Sequence, residues 1–196
     1  MLHRLFLATA ALAFAATSAL AANPQVEFDT SAGTIRIELF PDAAPKTVAN
    51  FLAYVKAKHY DGTQFHRVID GFMVQGGGYT ADFKEKPTKP PVPIESETSS
   101  KAGFMNVPGA VAMARTSDPN SATAQFFINV NDNKFLNYRE STVQGYGYTV
   151  FGKVVAGMDV VNKIAKMTTG PGGPFPKDVP APAVLIKSAT IIVPAS

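Results

Sequence analysis

Short β-strands are predicted along most of the chain by the alternation of polar and apolar residues. Residues 34–39 alternate with a period of two, and the apolar Val26 and Phe28 precede them across a turn at residues 30–33, which predicts a β-hairpin. Six further segments have the length and composition of strands: residues 65–69, 72–76, 110–114, 125–130, 148–155 and 184–193.

Two segments change to the period of a helix. In residues 44–58 the apolar Val48, Phe51 and Val55 fall on one face, which predicts an amphipathic helix. Residues 157–166 predict a second helix. Many short strands with two separated helices favour a mainly β domain, a closed antiparallel barrel that is plugged or capped by helices.

Two long segments interrupt this pattern. Residues 79–108 are rich in proline, lysine, serine and glutamate, and residues 170–182 are rich in proline and glycine. Neither has a clear period, so both are predicted to be exposed loops. Glu95 and Glu97 lie in the first loop, where we expect a solvated surface rather than a paired acid and base.

Length and composition limit the class of protein. The chain has 196 residues, which corresponds to one domain at roughly 100–200 residues per domain. Cysteine is absent, which excludes disulfides, iron-sulfur clusters, zinc-cysteine sites and thiol nucleophiles. The formal net charge of +3 is too small to indicate a nucleic-acid partner.

The first 21 residues have the pattern of a secretory signal peptide. A basic start at Arg4 is followed by an uncharged, mostly apolar stretch over residues 5–16 and by the small residues of a cleavage site in Ala19-Leu20-Ala21. The alternative is a membrane anchor or a buried helix, but a bilayer span needs an apolar run of about 20 residues. We therefore expect cleavage after Ala21, a mature domain of residues 22–196, export and no membrane association.

The sequence lacks the motifs that are typical of common hydrolases and metal enzymes. The histidines are His3, His59 and His66, and none has the spacing of a metal site, so no metal is expected. No G-x-S-x-G motif of a serine hydrolase occurs. The three glycines at positions 76–78 are not followed by the residues of a phosphate loop and are predicted to give backbone freedom where a strand ends.

The segment from residue 65 to residue 77 is the first candidate for chemistry. On a regular strand Arg67 shares a face with the apolar Phe65 and Ile69, so an arginine is placed among apolar neighbours. Met73 and Gln75 share a face of the following strand.

A second candidate lies further along the chain. Gln125 and Phe127 share one strand face, and Phe126 points to the other. One phenylalanine can therefore fill the core while its neighbour lines a pocket.

These segments resemble the signature sequences of the cyclophilins, a family of peptidyl-prolyl cis-trans isomerases. The similarity runs from about Val26 to Val193, with its segments in the right order, and it is greatest to the exported bacterial branch. It implies a mainly β fold, a closed eight-stranded antiparallel β-barrel capped by two α-helices. It also implies a periplasmic enzyme without cofactor that assists the folding of exported proteins and binds proline-containing unfolded or partly folded polypeptides. The segments that carry the resemblance are residues 65–77, 113–115, 125–128 and 150–154.

The resemblance further implies the roles of individual residues. Arg67 is the implied catalytic arginine, and Gln75 helps to position both Arg67 and the substrate. Phe72 is implied to belong to this catalytic group and to form part of the wall of a pocket for the proline ring. The backbone at Ala114 and Arg115 is implied to pair with the substrate. The complete set of implied substrate contacts besides the catalytic group is Met73, Ala114, Arg115, Gln125, Phe127, Phe135, Leu136 and Tyr148.

Two positions depart from the commonest pattern of the family. Phe135 stands where many members have tryptophan, and Tyr148 stands where many have histidine. The tryptophan position contributes to cyclosporin binding in the family, so the resemblance implies weakened binding of that drug here. The arginine and the apolar pocket residues are present, so isomerisation is expected to be retained.

Two other classes of function remain open at this point. A periplasmic chaperone or peptide-binding module without catalysis would keep the fold and groove, and loss of Arg67 would favour it, but Arg67 is present. An exported hydrolase would need an activated nucleophile and a base, which the sequence does not assemble.

Overall fold

Eight antiparallel β-strands close into a barrel in the computed structural model, which describes residues 22–192. The order around the barrel is β1-β10-β3-β4-β6-β5-β7-β2, and pairing of β2 with β1 closes it. The predicted fold class is confirmed, whereas the predicted signal peptide lies outside the described residues. The barrel strands are β1 (Gln25–Thr30), β2 (Gly33–Leu39), β3 (Thr63–Ile69), β4 (Met73–Thr80), β5 (Ala110–Met113), β6 (Phe126–Asn129), β7 (Val150–Ala156) and β10 (Leu185–Ile192).

Two helices pack against the barrel where the sequence predicts them. They are α1 (Pro45–Lys56) and α3 (Met158–Ala165). A third, short helix, α2 (Ser96–Lys101), lies in the segment that was predicted to be a loop. It buries only serines, Ser96 and Ser99, so its sequence carries no apolar period that would reveal it. No helix of residues 22–192 has the length and apolar character needed to cross a membrane.

Aromatic side chains fill the interior of the barrel. Phe28 of β1 stacks on Phe126 of β6 with ring centroids 5.3 Å apart, and Phe51 of α1 meets Phe126 edge to face at 5.7 Å. All three rings are buried. Edge-to-face and offset rings of this kind bury a large apolar area in a fixed geometry, so helix α1 is locked to the barrel through its apolar face.

Glu95 caps helix α1 rather than facing solvent as predicted. Its carboxylate accepts hydrogen bonds from the backbone N–H of Lys46 at 3.1 Å and of Thr47 at 2.8 Å, and from the Thr47 hydroxyl at 2.8 Å. The N-cap residue Ala44 has no side chain that can accept a hydrogen bond, which leaves these donors unpaired within the helix. A carboxylate 48 residues away satisfies them and complements the positive end of the helix dipole.

The predicted loop at residues 170–182 contains a two-stranded hairpin. Its strands are β8 (Thr169–Gly172) and β9 (Phe175–Pro180). Prolines and glycines interrupt the alternation of polar and apolar residues in this segment, so the sequence pattern does not reveal the hairpin. Tertiary contacts stabilise it. Phe175 holds it to the barrel, because its ring stacks on His66 at 5.2 Å and meets Tyr79 edge to face at 5.1 Å.

Candidate functional site

A β-bulge in β3 decides where Arg67 points. Phe65 pairs with Gly76 and Arg67 pairs with Gln75, so two steps along β3 correspond to one step along β4. The extra residue is His66. Phe65 therefore packs inside the barrel, and Arg67 lies on the outer face. The prediction that Phe65 shares a face with Arg67 was wrong, because the bulge resets the alternation between them.

Arg67 lies at the rim of a cavity of about 110 Å³ on the outer face of the barrel. Strands β4 and β6 form the floor of this cavity, and residues that follow β5 and β6 or precede β4 and β7 form its sides. Among the predicted site residues, all except Gln125 and Phe135 line it. The lining residues are Arg67, Phe72, Met73, Gln75, Ala114, Arg115, Phe127, Leu136 and Tyr148.

The floor of the cavity is apolar. Met73, Phe127 and Leu136 are buried there and form a cluster separate from the barrel core. Tyr148 meets Phe127 edge to face with centroids 5.5 Å apart. The neighbouring Phe126 points into the barrel, which confirms the prediction that one phenylalanine fills the core while the next faces a pocket.

A chain of hydrogen bonds runs along one side of the cavity. Arg67 Nη1 donates to Gln75 Oε1 at 3.4 Å, and Gln75 Nε2 donates to Gln125 Oε1 at 3.0 Å. Gln125 is not part of the lining of this cavity, but it lines an adjoining one that shares Gln75, Ala114 and Arg115 with it. Its contact fixes the amide orientation of Gln75, so that the oxygen of Gln75 faces the guanidinium.

The three glycines at positions 76–78 lie within β4 and do not end a strand as predicted. Gly77 has a positive φ of +88°, a conformation that glycine adopts without strain. A Cβ atom on Gly78 would lie 2.6 Å from Cδ of Gln125. The absence of a side chain at Gly78 thus leaves room for the glutamine that supports Gln75.

Arg115, the second arginine of the cavity lining, is held by hydrogen bonds to the backbone. Its Nε donates to the carbonyl of Gly147 at 3.0 Å, and its Nη1 donates to the carbonyl of Thr116 at 2.9 Å. The guanidinium lies over the ring of Tyr148, 4.8 Å from the centroid, in a cation–π contact. Arg115 thus has a fixed place, and two arginines line the cavity.

Phe135 lies beside the cavity and not in its lining. The residue is 64% exposed, and its ring stacks on Phe72 with centroids 5.6 Å apart and an angle of 29° between the planes. Phe135 therefore extends the apolar wall that Phe72 begins.

His66, the extra residue of the bulge, is buried next to Arg67. The hairpin covers it through Phe175, and Tyr79 meets the His66 ring edge to face at 4.8 Å. Burial lowers the pKa of His66 from 6.5 to about 4, and the charge of Arg67 acts in the same direction. His66 is therefore neutral at neutral pH and does not line the cavity.

Sequence reasoning missed a group of asparagines behind the cavity. Asn106, Asn129 and Asn133 are buried and hydrogen-bonded to one another. The available signal was the recurrence of asparagine at positions 129, 133 and 137 after a strand. That recurrence does not match a known motif, so only the three-dimensional contacts give it meaning.

The arrangement suits the binding and polarisation of an uncharged ring rather than covalent chemistry. The cavity combines an apolar floor with a guanidinium donor at its edge, and its lining contains no Ser, Thr, Cys, Lys, Asp, Glu or His side chain. Within residues 22–192 no three or more His, Asp or Glu side chains are grouped so that they could hold a metal ion.

Comparisons with known proteins agree with this geometry. A family model described as "Cyclophilin type peptidyl-prolyl cis-trans isomerase/CLD" matches residues 25–191. A peptidyl-prolyl cis-trans isomerase of Streptomyces antibioticus is 54% identical over 85% of this chain and 98% of its own length. Peptidyl-prolyl cis-trans isomerase A of Dickeya dadantii is 48% identical over 92% of this chain and 88% of its own length. The crystal structure of a Cryptosporidium parvum cyclophilin in the presence of the dipeptide Ala-Pro has a TM-score of 0.66 and 26% identity, covering 86% of this chain and 98% of that chain.

Proposed function

The chain belongs to the cyclophilin-type peptidyl-prolyl cis-trans isomerases and is an enzyme of that class, and we propose that it assists the folding of exported proteins in the periplasm with Arg67 as its catalytic residue. One observation carries the assignment of the site: a guanidinium lies at the edge of an apolar cavity and is oriented there by Gln75. The proposed partners are proline-containing segments of unfolded or partly folded polypeptides.

The chemistry to be accelerated is rotation about the Xaa-Pro bond. Resonance gives a peptide bond partial double-bond character and a rotation barrier of ~18–20 kcal/mol. At the twisted transition state the prolyl nitrogen regains its lone pair and accepts a hydrogen bond that the planar ground state cannot accept. Arg67 therefore binds the transition state more strongly than the substrate, which is the requirement for raising turnover.

The size of the effect can be divided between the arginine and the cavity. A well-aimed donor of this kind contributes roughly 10²–10³ in rate, or about 3–4 kcal/mol. An acceleration of about 10⁵ corresponds to roughly 7 kcal/mol. The remainder is assigned to the exclusion of water from the cavity, which strengthens the hydrogen bond from Arg67 to the twisted prolyl nitrogen. Phe72, Met73, Phe127 and Leu136 hold the proline ring in the planar and the twisted state alike.

The substrate backbone is proposed to run past Ala114 and Arg115. The Ala114 N–H already donates to the carbonyl of Gln125 at 3.0 Å. The pairing with substrate therefore uses the carbonyl of Ala114 and the backbone of Arg115. Tyr148 closes the far end of the cavity beneath the guanidinium of Arg115.

An isomerisation assay on a peptide tests the role of Arg67. Cis/trans exchange in a short Xaa-Pro peptide would be measured by NMR for the domain of residues 22–196 and its Arg67→Ala and Arg36→Ala variants, after circular dichroism shows that all are folded. Arg36 pairs with Glu27 at 2.7 Å and does not line the cavity, so it is the matched control. Fast exchange that collapses only in Arg67→Ala supports the proposal. Equal exchange with wild type and Arg67→Ala overturns it, and no acceleration by the folded wild type favours a peptide-binding module.

The proposed location rests on the signal-like pattern of the first 21 residues. The full chain would be expressed in a Gram-negative bacterium and the mass of the product in the periplasmic fraction would be determined. A product that begins at Ala22 supports export. A product that stays in the cytoplasm with its first residues intact overturns this part of the proposal and leaves the isomerase assignment in place.

The proposed folding role calls for a protein substrate. Refolding of an exported protein whose slow phase is limited by proline isomerisation would be followed with wild type and with Arg67→Ala. Acceleration by wild type alone supports a folding role through isomerisation. Equal help from both proteins indicates a chaperone that acts by binding.

A further inference from the structure

Four asparagines form a hydrogen-bonded group, here called the asparagine network, behind two walls of the cavity. Its members are Asn106, Asn129, Asn133 and Asn137. The first three are buried, and Asn137 is half-buried at the end of a single 3₁₀ turn, Lys134–Leu136. Buried amides need a partner for each donor, and these amides find partners in one another and in the backbone.

Asn133 holds the wall that contains Phe72. Its Nδ2 donates to the carbonyl of Phe72 at 2.9 Å and to Oδ1 of Asn129 at 2.7 Å. Asn129 in turn donates to the carbonyl of Ala110 at 3.1 Å and to Oδ1 of Asn106 at 3.2 Å. The Phe72 backbone is thus joined to the first residue of β5 through two side chains.

Asn137 and Asn106 hold the wall that contains Leu136. Asn106 Nδ2 donates to the carbonyl of Leu136 at 3.1 Å. Oδ1 of Asn137 accepts from the backbone N–H of Asn106 at 2.7 Å and from Asn106 Nδ2 at 3.1 Å. Asn137 therefore acts only as an acceptor in this network, whereas Asn133 acts as a donor through Nδ2.

The two walls need such support because neither lies in a barrel strand. Phe72 precedes β4 in a turn, and Leu136 lies in the 3₁₀ turn after β6. Each wall carbonyl also receives one backbone hydrogen bond, from Val130 to Phe72 at 3.0 Å and from Tyr148 to Leu136 at 2.9 Å. The amides add a second, side-chain hydrogen bond to each carbonyl and join the two walls to each other.

We propose that Asn133 and Asn137 are positioning residues that set the spacing of the Phe72 and Leu136 walls, and so the affinity of the cavity for the prolyl ring. This inference rests on the proposed function, in which these walls hold proline. The ring is held in both the ground state and the twisted state. Loosening the walls therefore weakens binding of both and changes the rate at saturation little.

The hydrogen-bond roles supply a matched set of variants. Asn137→Asp keeps the acceptor oxygen, and Asn137→Ala removes it. Asn133→Ala removes both donations to Phe72 and Asn129. Gln64→Ala is the control, because Gln64 is also a buried amide, donates to the carbonyl of Thr80 at 2.7 Å, and does not line the cavity.

The experiment measures two quantities on each folded variant: the dissociation constant of a tetrapeptide with a central Ala-Pro bond, by NMR titration, and its cis/trans exchange rate at saturation. We expect Asn137→Ala and Asn133→Ala, each of which removes two hydrogen bonds of the network, to raise the dissociation constant about tenfold. We expect Asn137→Asp to restore the wild-type value and all saturated rates to stay within about twofold. Gln64→Ala is expected to lower the melting temperature without changing affinity.

Three outcomes overturn the proposal. The first is an unchanged dissociation constant in Asn137→Ala, the second is an equal loss in Asn137→Ala and Asn137→Asp, and the third is a loss in Gln64→Ala as large as in the network variants. If Asn133→Ala does not fold, the two variants at position 137 still test the proposal. An inactive wild type would instead refute the proposed function, which keeps the two failures distinguishable.

Discussion

Acid should destabilise this protein through His66, and the size of the effect follows from the environment of the ring. His66 is 2% exposed, with Phe175 stacked on its ring and Tyr79 edge to face with both rings. Protonation places a charge where water is excluded and where Arg67 is already positive. The prediction compares wild type with His66→Phe, which keeps an aromatic ring against these two neighbours and cannot titrate.

Proton linkage gives the direction in which the free energy of unfolding changes with pH. The pKa of His66 is 6.5 when it is solvated, as in the unfolded chain, and about 4 in the folded protein. Between these values the unfolded state binds the proton more readily, so the free energy of unfolding rises with pH. The contribution of His66 is complete above pH 6.5 and is lost as the pH falls towards 4.

Relative to neutral pH, the loss of unfolding free energy that is due to His66 is about 1.4 kcal/mol at pH 5.5 and about 3 kcal/mol at pH 4. Each pH unit between the two pKa values contributes about 1.36 kcal/mol. Burial also lowers the pKa of His59. His59 is present in both proteins, so its effect cancels in the difference between them.

Urea unfolding provides the assay. The chain contains no tryptophan, so far-ultraviolet circular dichroism would follow unfolding at several pH values between 4 and 8. We expect the free energy of unfolding of wild type to fall by about 3 kcal/mol more than that of His66→Phe between pH 7.5 and pH 4. Parallel curves for the two proteins would refute the reasoning, whatever their offset at neutral pH.

Three further predictions concern the site and its scaffold. Peptide isomerisation at saturation should be flat between pH 6 and pH 8, because the cavity lining contains arginines and a tyrosine but no histidine or carboxylate; a steep step near pH 7 would contradict the assigned mechanism. Glu95→Ala should lower the free energy of unfolding by about 1–2 kcal/mol, because it uncaps α1, whereas Glu97→Ala on the surface should cost less; equal losses in urea unfolding would contradict the capping role. Phe135→Trp should strengthen inhibition by cyclosporin, because indole adds an N–H donor and apolar area beside Phe72; unchanged inhibition would show that this position does not limit drug binding.

The barrel and the apolar part of the site could be predicted from the sequence because their signals are local. Alternation along each strand separates the face that enters the core from the face that does not, as Phe126 and Phe127 show. The period of residues 44–58 similarly reveals α1 and the face that it buries. In both elements the information lies within a few residues of sequence.

The resemblance to the cyclophilins brought together residues that pattern alone cannot connect. Arg67, Phe127 and Tyr148 lie in three separate segments of the chain, and periodicity does not say that they line one cavity. The order of the matching segments along the chain led us to expect that these residues share one site, and the structure places their side chains around a single apolar floor.

What the tertiary structure alone decided depends on contacts between distant segments. The bulge at His66 exists because β3 pairs with β4 out of step, and it turns Arg67 outwards. Asn133 donates to Phe72, 61 residues away, and Gln75 donates to Gln125, 50 residues away. A polar side chain carries no local mark of the backbone or amide group that it will meet across the fold. Sequence thus determined the barrel and the chemical types of the residues in the site. The pairing of distant strands and loops determined where the Arg67 donor points and how the walls of the cavity are held.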